Sequence, residues 1–462
     1  MNKPVLTFFV AALAAAVPAR AKLTVHEWGT FTVLQAPDGT TLQWYLAERD
    51  IAPLPPFVGH AMRGFQIAGK TGTAQRLVNG RVQRSQPYAV RMETPVLYFY
   101  PDGAMDVKVA VDFPQGEITE FFPRALTTAT GASWQGSLLP ATPESLKTVP
   151  DASGPLGRHY AAARAVPEAW LFRNSAPAAP VMPSFAVSGD SLLPPPAQPK
   201  VETPLGTDHF IFYRGAGNTV PMSISAATKD DRTFTFTNFK PETVPVLFLL
   251  RVADGRAVWT RADNLLWQGK KSATQVSLPE TSEPLADSTS RLKSEMLAAL
   301  ETEGLTKTEA AAMVATWDNL WFEEPGTRVL ALLPQKWVDA ALPLQITPQP
   351  DSLDRVFVAR LELISLDQQN ALAGLLDRNP DDPAAAREQL RKLALGRFAP
   401  GAVDHVAALK SEELHARYTR LSQPEPAKGV ASSLKSSIPK ENLEAMREGM
   451  RKVVNSTAAQ AP

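Results

Sequence analysis

The chain has 462 residues, more than the roughly 300 beyond which one hydrophobic core usually divides, so we expect several structural regions. Lysine plus arginine and aspartate plus glutamate both number 47, and a formal charge of zero excludes the basic field of a dedicated nucleic-acid binder. The lack of cysteine excludes disulfides and thiolate metal sites, and 41 prolines favour strands and ordered loops over long helices.

Residues 1–21 have the order of segments that is typical of a secretory signal. Lys3 supplies a positive charge, residues 4–17 form an apolar run, and small side chains lead to a cleavage site after Ala21. We therefore predict an exported protein, periplasmic or extracellular, whose mature chain begins near Lys22. No other apolar run reaches the roughly 18 residues of a spanning helix, so we expect no transmembrane segment after signal removal.

Two β-rich regions follow, at residues 22–175 and 205–280, and their pattern is antiparallel and sandwich-like. Valines and a phenylalanine alternate with polar residues over 107–113, which predicts a half-buried strand. The continuous apolar runs at 96–100 and 246–250 predict central strands covered on both faces. Turn dipeptides are placed where such strands reverse, at Asp38-Gly39, Asn79-Gly80, Asp102-Gly103 and Asp254-Gly255.

The remaining regions are distinguished by composition and periodicity. Residues 176–204 are rich in Pro, Ala and Ser, which predicts a linker or long surface loop. Residues 281–365 show both helix and strand patterns, and residues 366–422 are helical. Residues 423–462 are predicted to be a flexible tail with one short amphipathic helix near 440–454. The fold class is therefore mainly β, with a mixed α/β to α-helical C-terminal part.

The mixed region contains one well-marked helix. Thr306 and Glu309 have the spacing of a capping box, which predicts a helix start. Apolar residues then recur at helical spacing and predict one buried stripe, formed by Ala310, Met313, Val314, Trp317 and Trp321.

The segment 64–71 matches the P-loop pattern G-x-x-x-x-G-K-[ST]. A P-loop follows a buried parallel strand and opens a helix, because that geometry aims backbone amides at the phosphates. Here the segment follows Pro53-Leu54-Pro55-Pro56 and precedes a second glycine, Gly72, so neither flank fits. We expect a Gly-rich hairpin loop and no nucleotide.

His26, Glu27 and Trp28 lie almost at the start of the mature chain. A histidine, a carboxylate and an indole could form a binding site, with Glu27 as acid or base and Trp28 as an apolar wall. The alternative is a first strand whose aromatic residues fill the core. The pattern favours the strand, because Thr30 occupies the position where an H-E-x-x-H zinc site needs its second histidine.

Charged residues flank two apolar strands that are far apart in sequence. Arg91 and Glu93 precede the first of these strands. His209 precedes the second strand, and Tyr213 and Arg214 lie at its end. If these strands are neighbours, Glu93, His209 and Arg214 converge. That cluster is either an acid/base site, with Glu93 and His209 as catalytic candidates, or a structural network of ion pairs. The chain's histidines show no close ligand spacing, so we expect no metal and no cofactor.

Five segments resemble an uncharacterised family of exported bacterial proteins found in planctomycete and related genomes. The first segment reads His-Glu-Trp-Gly-Thr-Phe-Thr. The segments are residues 26–32, 92–96, 212–218, 317–328 and 342–344. The resemblance implies a bacterial, exported protein and transfers no catalytic residue.

The sequence leaves three functions open. The first is extracytoplasmic binding of a carbohydrate or another envelope component, because aromatic residues and loops on rigid sheets suit recognition. The candidate binding residues are His26, Glu27, Trp28, Arg91, Tyr213 and Arg214. The second is an acid/base hydrolase or lyase that acts through Glu93 with His209 or His26. The third is a structural component of the cell envelope.

Overall fold

The computed structural model describes residues 21–44, 55, 57–60, 65–67, 74–78, 81–84, 88–128, 130–152, 158–175, 206–218, 222–267, 273–378 and 383–410. Several sequence predictions lie outside these residues. They are residues 1–20 of the predicted signal, the loop at 176–204, the Asn79-Gly80 turn, residues 411–422 of the predicted helical region, the tail at 423–462 and, apart from 65–67, the P-loop-like segment.

The secondary structure is mostly extended chain. The strands are β1 (Leu23–Gln35), β2 (Thr41–Leu42), β3 (Gly59–His60), β4 (Phe65–Ile67), β5 (Ala74–Val78), β6 (Arg81–Arg84), β7 (Val90–Pro101), β8 (Met105–Asp112), β9 (Gly116–Phe122), β10 (Leu126–Thr127), β11 (Gly131–Leu139), β12 (Leu171–Asn174), β13 (Thr207–Asp208), β14 (Phe210–Gly217), β15 (Ile224–Thr228), β16 (Thr233–Asn238), β17 (Val244–Ala253), β18 (Arg256–Leu265), β19 (Thr274–Ser277), β20 (Glu283–Pro284), β21 (Gly326–Leu333), β22 (Leu344–Thr347) and β23 (Ser352–Leu363).

Helices are concentrated in the C-terminal half. They are α1 (Pro143–Leu146), α2 (Arg158–Ala163), α3 (Leu285–Thr302), α4 (Lys307–Asp318) with a π-helical extension (Asn319–Glu323), α5 (Gln335–Ala341), α6 (Leu366–Asp377), α7 (Pro383–Lys392), a 3-10 turn (Gly396–Phe398) and α8 (Ala399–Lys410). The predicted mainly β fold with a helical C-terminal part is confirmed.

One large sheet organises the molecule. Its strand order is β20-β18-β17-β21-β23-β1-β7-β14-β9-β3, and β2 pairs with the end of β1. The two predicted central strands lie inside it, as β7 and β17. Strand β1 runs parallel to β23 and antiparallel to β7, so the start and the later part of the chain meet at the middle of the sheet. Strands from three predicted regions therefore share one sheet.

A second sheet, with order β13-β12-β11-β8-β22 and β10 beside β11, packs over one face of the large sheet. The predicted alternation over 107–113 is confirmed, because Val107, Val109 and Val111 point into the core that the two sheets share. This core is the sandwich-like layer that the sequence predicts, and burial of its apolar surface is the main favourable term for folding.

A small antiparallel sheet, β15-β16-β19, closes one side of the same core. Along β16 the phenylalanines Phe234 and Phe236 are buried in the core, while the intervening threonines are partly exposed. The strand therefore presents one apolar face inward and one hydroxyl-bearing face to solvent.

Helices cover the opposite face of the large sheet in two groups. Helices α3 and α4 pack on one half, and the buried stripe predicted on α4 is confirmed. The capping box of Thr306 and Glu309 starts α4 as predicted. Helices α6 and α8 pack on the other half around Leu34 and Trp44. The short helix α5 has no counterpart among the sequence predictions.

Candidate functional site

Strand β1 carries the His-Glu-Trp-Gly motif, and strand alternation sends neighbouring motif side chains to opposite faces of the large sheet. Glu27 points into the core between the two larger sheets, where it is fully buried. Arg355 of β23 donates to Glu27 with an Nε–Oε2 distance of 2.6 Å, and the Tyr213 hydroxyl donates to the other carboxylate oxygen. Glu27 and Tyr213 therefore hold a buried guanidinium in the core.

Trp28 and Gly29 serve packing. The Trp28 indole is fully buried beneath the helices, with its ring centroid 6.4 Å from that of Tyr98. Gly29 lies against Phe357, and a Cβ at position 29 would come within 2.6 Å of that ring. The motif thus requires glycine because a neighbouring strand places an aromatic ring directly over the backbone.

His26 lies where β1 meets the start of α4. Its Nδ1 atom is 2.9 Å from Glu309 Oε2, its Nε2 atom is 3.5 Å from Asp354, and the Tyr100 hydroxyl also donates to Glu309. Burial lowers the pKa of His26, but the hydrogen bond and charge of Glu309, with the charge of Asp354, outweigh it and raise that pKa. Because Glu309 also caps α4 at Thr306, His26 ties the first strand to a helix.

Three of the other predicted site residues, Arg91, Glu93 and Arg214, belong to a row of buried charges across the helix-covered face of the large sheet. We call this row the charged strip. None of its residues is more than 8% exposed. Its members are Arg91, Glu93, Glu120, Arg214, Arg328, Arg360, Glu362 and Arg397. Cross-strand register places the members from strands on one face, since Arg214 pairs with Glu120 and Arg328 pairs with Glu362, and Arg397 reaches them from the turn before α8.

Glu93 is at the centre of the charged strip. Arg397 donates to Oε1 at 2.7 Å, and the Thr32 hydroxyl donates to Oε2 at 2.7 Å. Burial alone would raise the pKa of Glu93, but Arg397, Arg360 and Arg91 outweigh it and lower that pKa to about 2. Glu93 is therefore a fixed carboxylate at neutral pH, which suits an ion pair and does not suit proton transfer.

The charged strip alternates in sign on both sides of Glu93. On one side Arg91 reaches Glu120 at 3.5 Å, and Arg214 donates to the Thr94 hydroxyl. Thr94 has a φ of +50°, at the point where β7 and its neighbours change register. On the other side of Glu93, Arg328 and Arg360 both donate to one oxygen of Glu362, at 2.7 and 2.6 Å. The strip is a network of ion pairs inside the fold.

His209 does not join this network. Strands β7 and β14 are neighbours, as the convergence of the three residues requires, but Phe210 pairs with Tyr98 and not with the strand end that carries Glu93. At about 3.3 Å per residue, His209 lies roughly 20 Å from Glu93 along the strands. The His209 Nδ1–H donates to the Ala169 carbonyl at 3.0 Å. The register corrects the expected convergence: Glu93, Arg91 and Arg214 are together, and His209 is apart.

The alternative partner of Glu93 is also distant. Glu93 pairs with Thr30, whereas His26 lies four residues further along β1, roughly 13 Å away. Each histidine has its own partner, and neither contacts Glu93. The paired carboxylate and imidazole of an acid/base site are therefore not formed by these residues.

Four residues that complete the two interior networks were not among the predicted site residues: Arg355, Arg360, Glu362 and Arg397. One signal was available, because Arg360 and Glu362 interrupt an otherwise apolar strand on the same face. Charges inside a buried strand are normally paired. For Arg397, in the turn before α8, we find no comparable sequence signal.

A second set of polar side chains lies on a solvent-exposed sheet face. The small sheet β15-β16-β19 presents a row of mostly hydroxyl and amide side chains, which we call the outer face. Its polar members are Ser225, Thr233, Thr235, Thr237, Gln275 and Ser277, and Ala227 lies among them. Register places them side by side, since Thr233 pairs with Ser277, and Thr235 with Gln275. Alternate threonines on β16 are about 6.8 Å apart.

An aromatic residue stands at one end of the outer face. Phe239 extends the alternation of β16, because its N–H donates to the Ser223 carbonyl, and its side chain is 62% exposed. The Asn238 side chain donates to the Leu265 carbonyl at 3.1 Å, so β16 and β18 end close together. Trp267, two residues beyond Leu265, is 49% exposed. Among the described residues, Phe239 and Trp267 are the large aromatic side chains with about half or more of their surface exposed.

The described residues contain no group of three or more histidine, aspartate and glutamate side chains arranged to hold a metal ion. None of the described helices combines the length and apolar character that a bilayer crossing requires.

The chain matches no protein-family model and no curated protein. Among solved structures it is similar to the mu homology domain of Fcho1 from Danio rerio, solved with a bound Eps15 peptide. The TM-score is 0.27, the sequence identity is 7%, and the alignment covers 74% of this chain and 97% of that chain. A likeness this weak gives no information on function.

Proposed function

We propose that this is an exported protein that binds a carbohydrate of the cell envelope through the outer face and its aromatic end. The observation that carries the proposal is the exposed Phe239 at the end of a row of threonine, serine and glutamine side chains, with a second exposed aromatic residue, Trp267, just beyond the neighbouring end of β18. Aromatic rings provide an apolar platform for sugar rings, and hydroxyl and amide groups pair with sugar hydroxyls.

The composition of the outer face supports a neutral ligand. The outward side chains of β16, Thr233, Thr235 and Thr237, carry hydroxyl groups and no formal charge, and Gln275 adds an amide beside them. A hydroxyl donates and accepts, as a sugar hydroxyl does, so many orientations of a ligand are satisfied along such a row. An extended polysaccharide segment fits this surface better than a compact charged molecule.

Binding is favoured over acid/base catalysis by the state of Glu93. Its pKa of about 2 leaves it ionised throughout the neutral range, and its two oxygens already accept from Arg397 and Thr32. A general acid or base works best with a pKa near the operating pH. The role of Glu93 in this proposal is to hold the fold that presents the outer face.

The proposal is tested by native electrophoresis in gels that contain soluble β-glucan, xylan or mannan. We expect at least one polysaccharide to retard the parent protein, and Phe239→Ala and Trp267→Ala to migrate as they do in a gel without polysaccharide. Leu146→Ala is the matched control, since Leu146 is 43% exposed on α1, away from the outer face. It should be retarded like the parent.

Two results would contradict the proposal. If the parent protein migrates freely in every gel, it does not bind these neutral polysaccharides and the proposal is wrong. Retardation that persists unchanged in both aromatic variants would place the binding surface elsewhere.

A further inference from the structure

The outer face runs into a groove at the end opposite Phe239. The groove has a volume of about 690 Å³, within the range of small-molecule sites in proteins. Thr233, Thr235 and Gln275 form its floor and also belong to the outer face. The groove and the outer face are therefore one continuous surface.

Helices stand across the far side of this groove. Leu366 and Gln369 of α6, with His405 and Leu409 of α8, line the wall that faces the threonines. Asp231 fixes this wall, because its carboxylate accepts from the Leu366 and Asp367 backbone N–H groups at 2.7 and 3.1 Å. The turn that joins β15 to β16 thus holds the start of α6.

A third side of the groove comes from the turn after β1. The Thr228 N–H donates to the Pro37 carbonyl at 2.7 Å, and Gly39, with a φ of +85°, lies against Ser225. This turn presents the Asp38 carboxylate to the groove. A ligand lying along the outer face from Phe239 therefore meets a walled end rather than an open channel.

The polar groups at the walled end suit sugar hydroxyls. Burial lowers the pKa of His405, and the Asp38 charge only partly offsets this, so the imidazole is neutral at neutral pH. A neutral imidazole has one donor and one acceptor, Gln369 has both, and Asp38 accepts. Lys229 offsets part of the negative charge on this side.

We propose that this groove is a terminal subsite, which binds the chain end of a neutral oligosaccharide whose following units lie on the outer face. The inference rests on the proposed function, because it extends the same surface. Its distinguishing consequence is that a polysaccharide binds by its end and not along its length.

The test is titration calorimetry with size-graded oligosaccharides of β-glucan, xylan and mannan, beside the full polymers. We expect the number of protein molecules per carbohydrate chain to stay constant as the chain lengthens. Gln369→Ala and His405→Ala should each weaken binding of the short oligosaccharides by about three- to tenfold, because each removes one or two hydrogen bonds. Asn370→Ala is the matched control on α6, since Asn370 is exposed outside the groove.

The outcomes separate this inference from the proposed function. Protein bound per chain that rises in proportion to chain length overturns the terminal subsite, as does unchanged affinity in both groove variants. If Phe239→Ala loses binding under those same results, binding at the outer face stands and only the terminal subsite fails. A parent protein that binds none of these carbohydrates overturns both.

Discussion

The charged strip and the outer face are opposite solutions to placing polar side chains on a sheet. In the charged strip, charged side chains are buried under helices and pair with one another, as Arg328 does with Glu362 and Arg397 with Glu93. On the outer face, neutral hydroxyl and amide groups are partly or fully exposed, and the Thr233 and Ser277 hydroxyls lie 3.1 Å apart. Distinctive residues in a sequence therefore need not mark the surface that binds, because a buried ion pair is as demanding of its residue types as a ligand site.

Mutations in these two regions should therefore affect different properties of the protein. A residue of the charged strip is expected to affect the free energy of unfolding strongly. A residue of the outer face is expected to affect affinity and leave folding nearly unchanged. The following experiments measure these effects in the two regions and, between them in size, at the buried partners Tyr213 and His26.

The largest expected effect is that of Glu93→Gln. Removing the charge leaves Arg397 buried without its carboxylate partner, which costs about 3 to 5 kcal/mol of unfolding free energy in such pairs. Urea denaturation at pH 7 measures this loss. The control is Glu280→Gln, which removes the exposed partner of Arg232 and should leave the denaturation midpoint close to that of the parent.

The same variant has a pH signature with a definite sign. The folded-state pKa of Glu93 is about 2, below the 4.5 of an unperturbed glutamate, so the stability it contributes is present above pH 4.5 and is lost as pH falls towards 2. The difference in unfolding free energy between the parent and Glu93→Gln should therefore become smaller as the pH falls from 4.5 towards 2. A difference that stays constant down to pH 2 would show that Glu93 stabilises the fold by shape and not by charge.

The next effect is that of Tyr213→Phe in the core. This change removes the hydroxyl that donates to Glu27 while Arg355 keeps its ion pair, so the buried carboxylate loses one of two partners. We expect a loss of about 1 to 3 kcal/mol in urea denaturation. A variant as stable as the parent would show that the hydroxyl contributes no net stability to the Glu27 pair.

A smaller effect is expected at His26. Its pKa is raised above 6.5 in the folded state, so the stability it contributes is complete below that pH and is lost as pH rises through the folded pKa. The melting temperature of the parent should fall between pH 6 and pH 9 by more than that of His26→Gln. If the melting temperatures of the two proteins change in parallel over this pH range, the charged imidazole does not stabilise the fold through Glu309 and Asp354.

The smallest effect on stability is expected on the outer face. Thr237→Val keeps the β-branched shape on a solvent-facing strand position, so the unfolding free energy should change by no more than about 0.5 kcal/mol. A marked loss of stability would mean that the outer face is structural, and the contrast with the charged strip would fail. Urea denaturation beside Glu93→Gln gives the direct comparison.

Local sequence patterns predicted the elements whose causes are local. Alternating valines predicted β8, apolar runs predicted β7 and β17, and the Thr306 capping box predicted the start of α4. These depend on residues within one element. Strand β1 pairs with β23, and the paired residues are more than 300 positions apart in the sequence. No periodic pattern in the sequence indicates this pairing.

The candidate site was harder to predict than the fold for the same reason. The sequence correctly predicted that Glu93 and Arg214 lie close together. The partners that decide their role come from other elements, and they are Arg397 and Glu120. The alternation of threonine and phenylalanine along β16 by itself indicates only a strand with one buried face. Register adds the neighbours on which the binding proposal depends, because it places Gln275 beside the outward threonines and leaves Phe239 exposed at their end.

The most direct test of the binding proposal compares Phe239→Ala with His26→Gln in polysaccharide-containing native gels at pH 7. The binding proposal predicts that Phe239→Ala loses retardation while its melting temperature stays that of the parent, and that His26→Gln is retarded like the parent. Loss of retardation in His26→Gln with full retardation of Phe239→Ala would contradict it, and would return recognition to the motif at the start of β1.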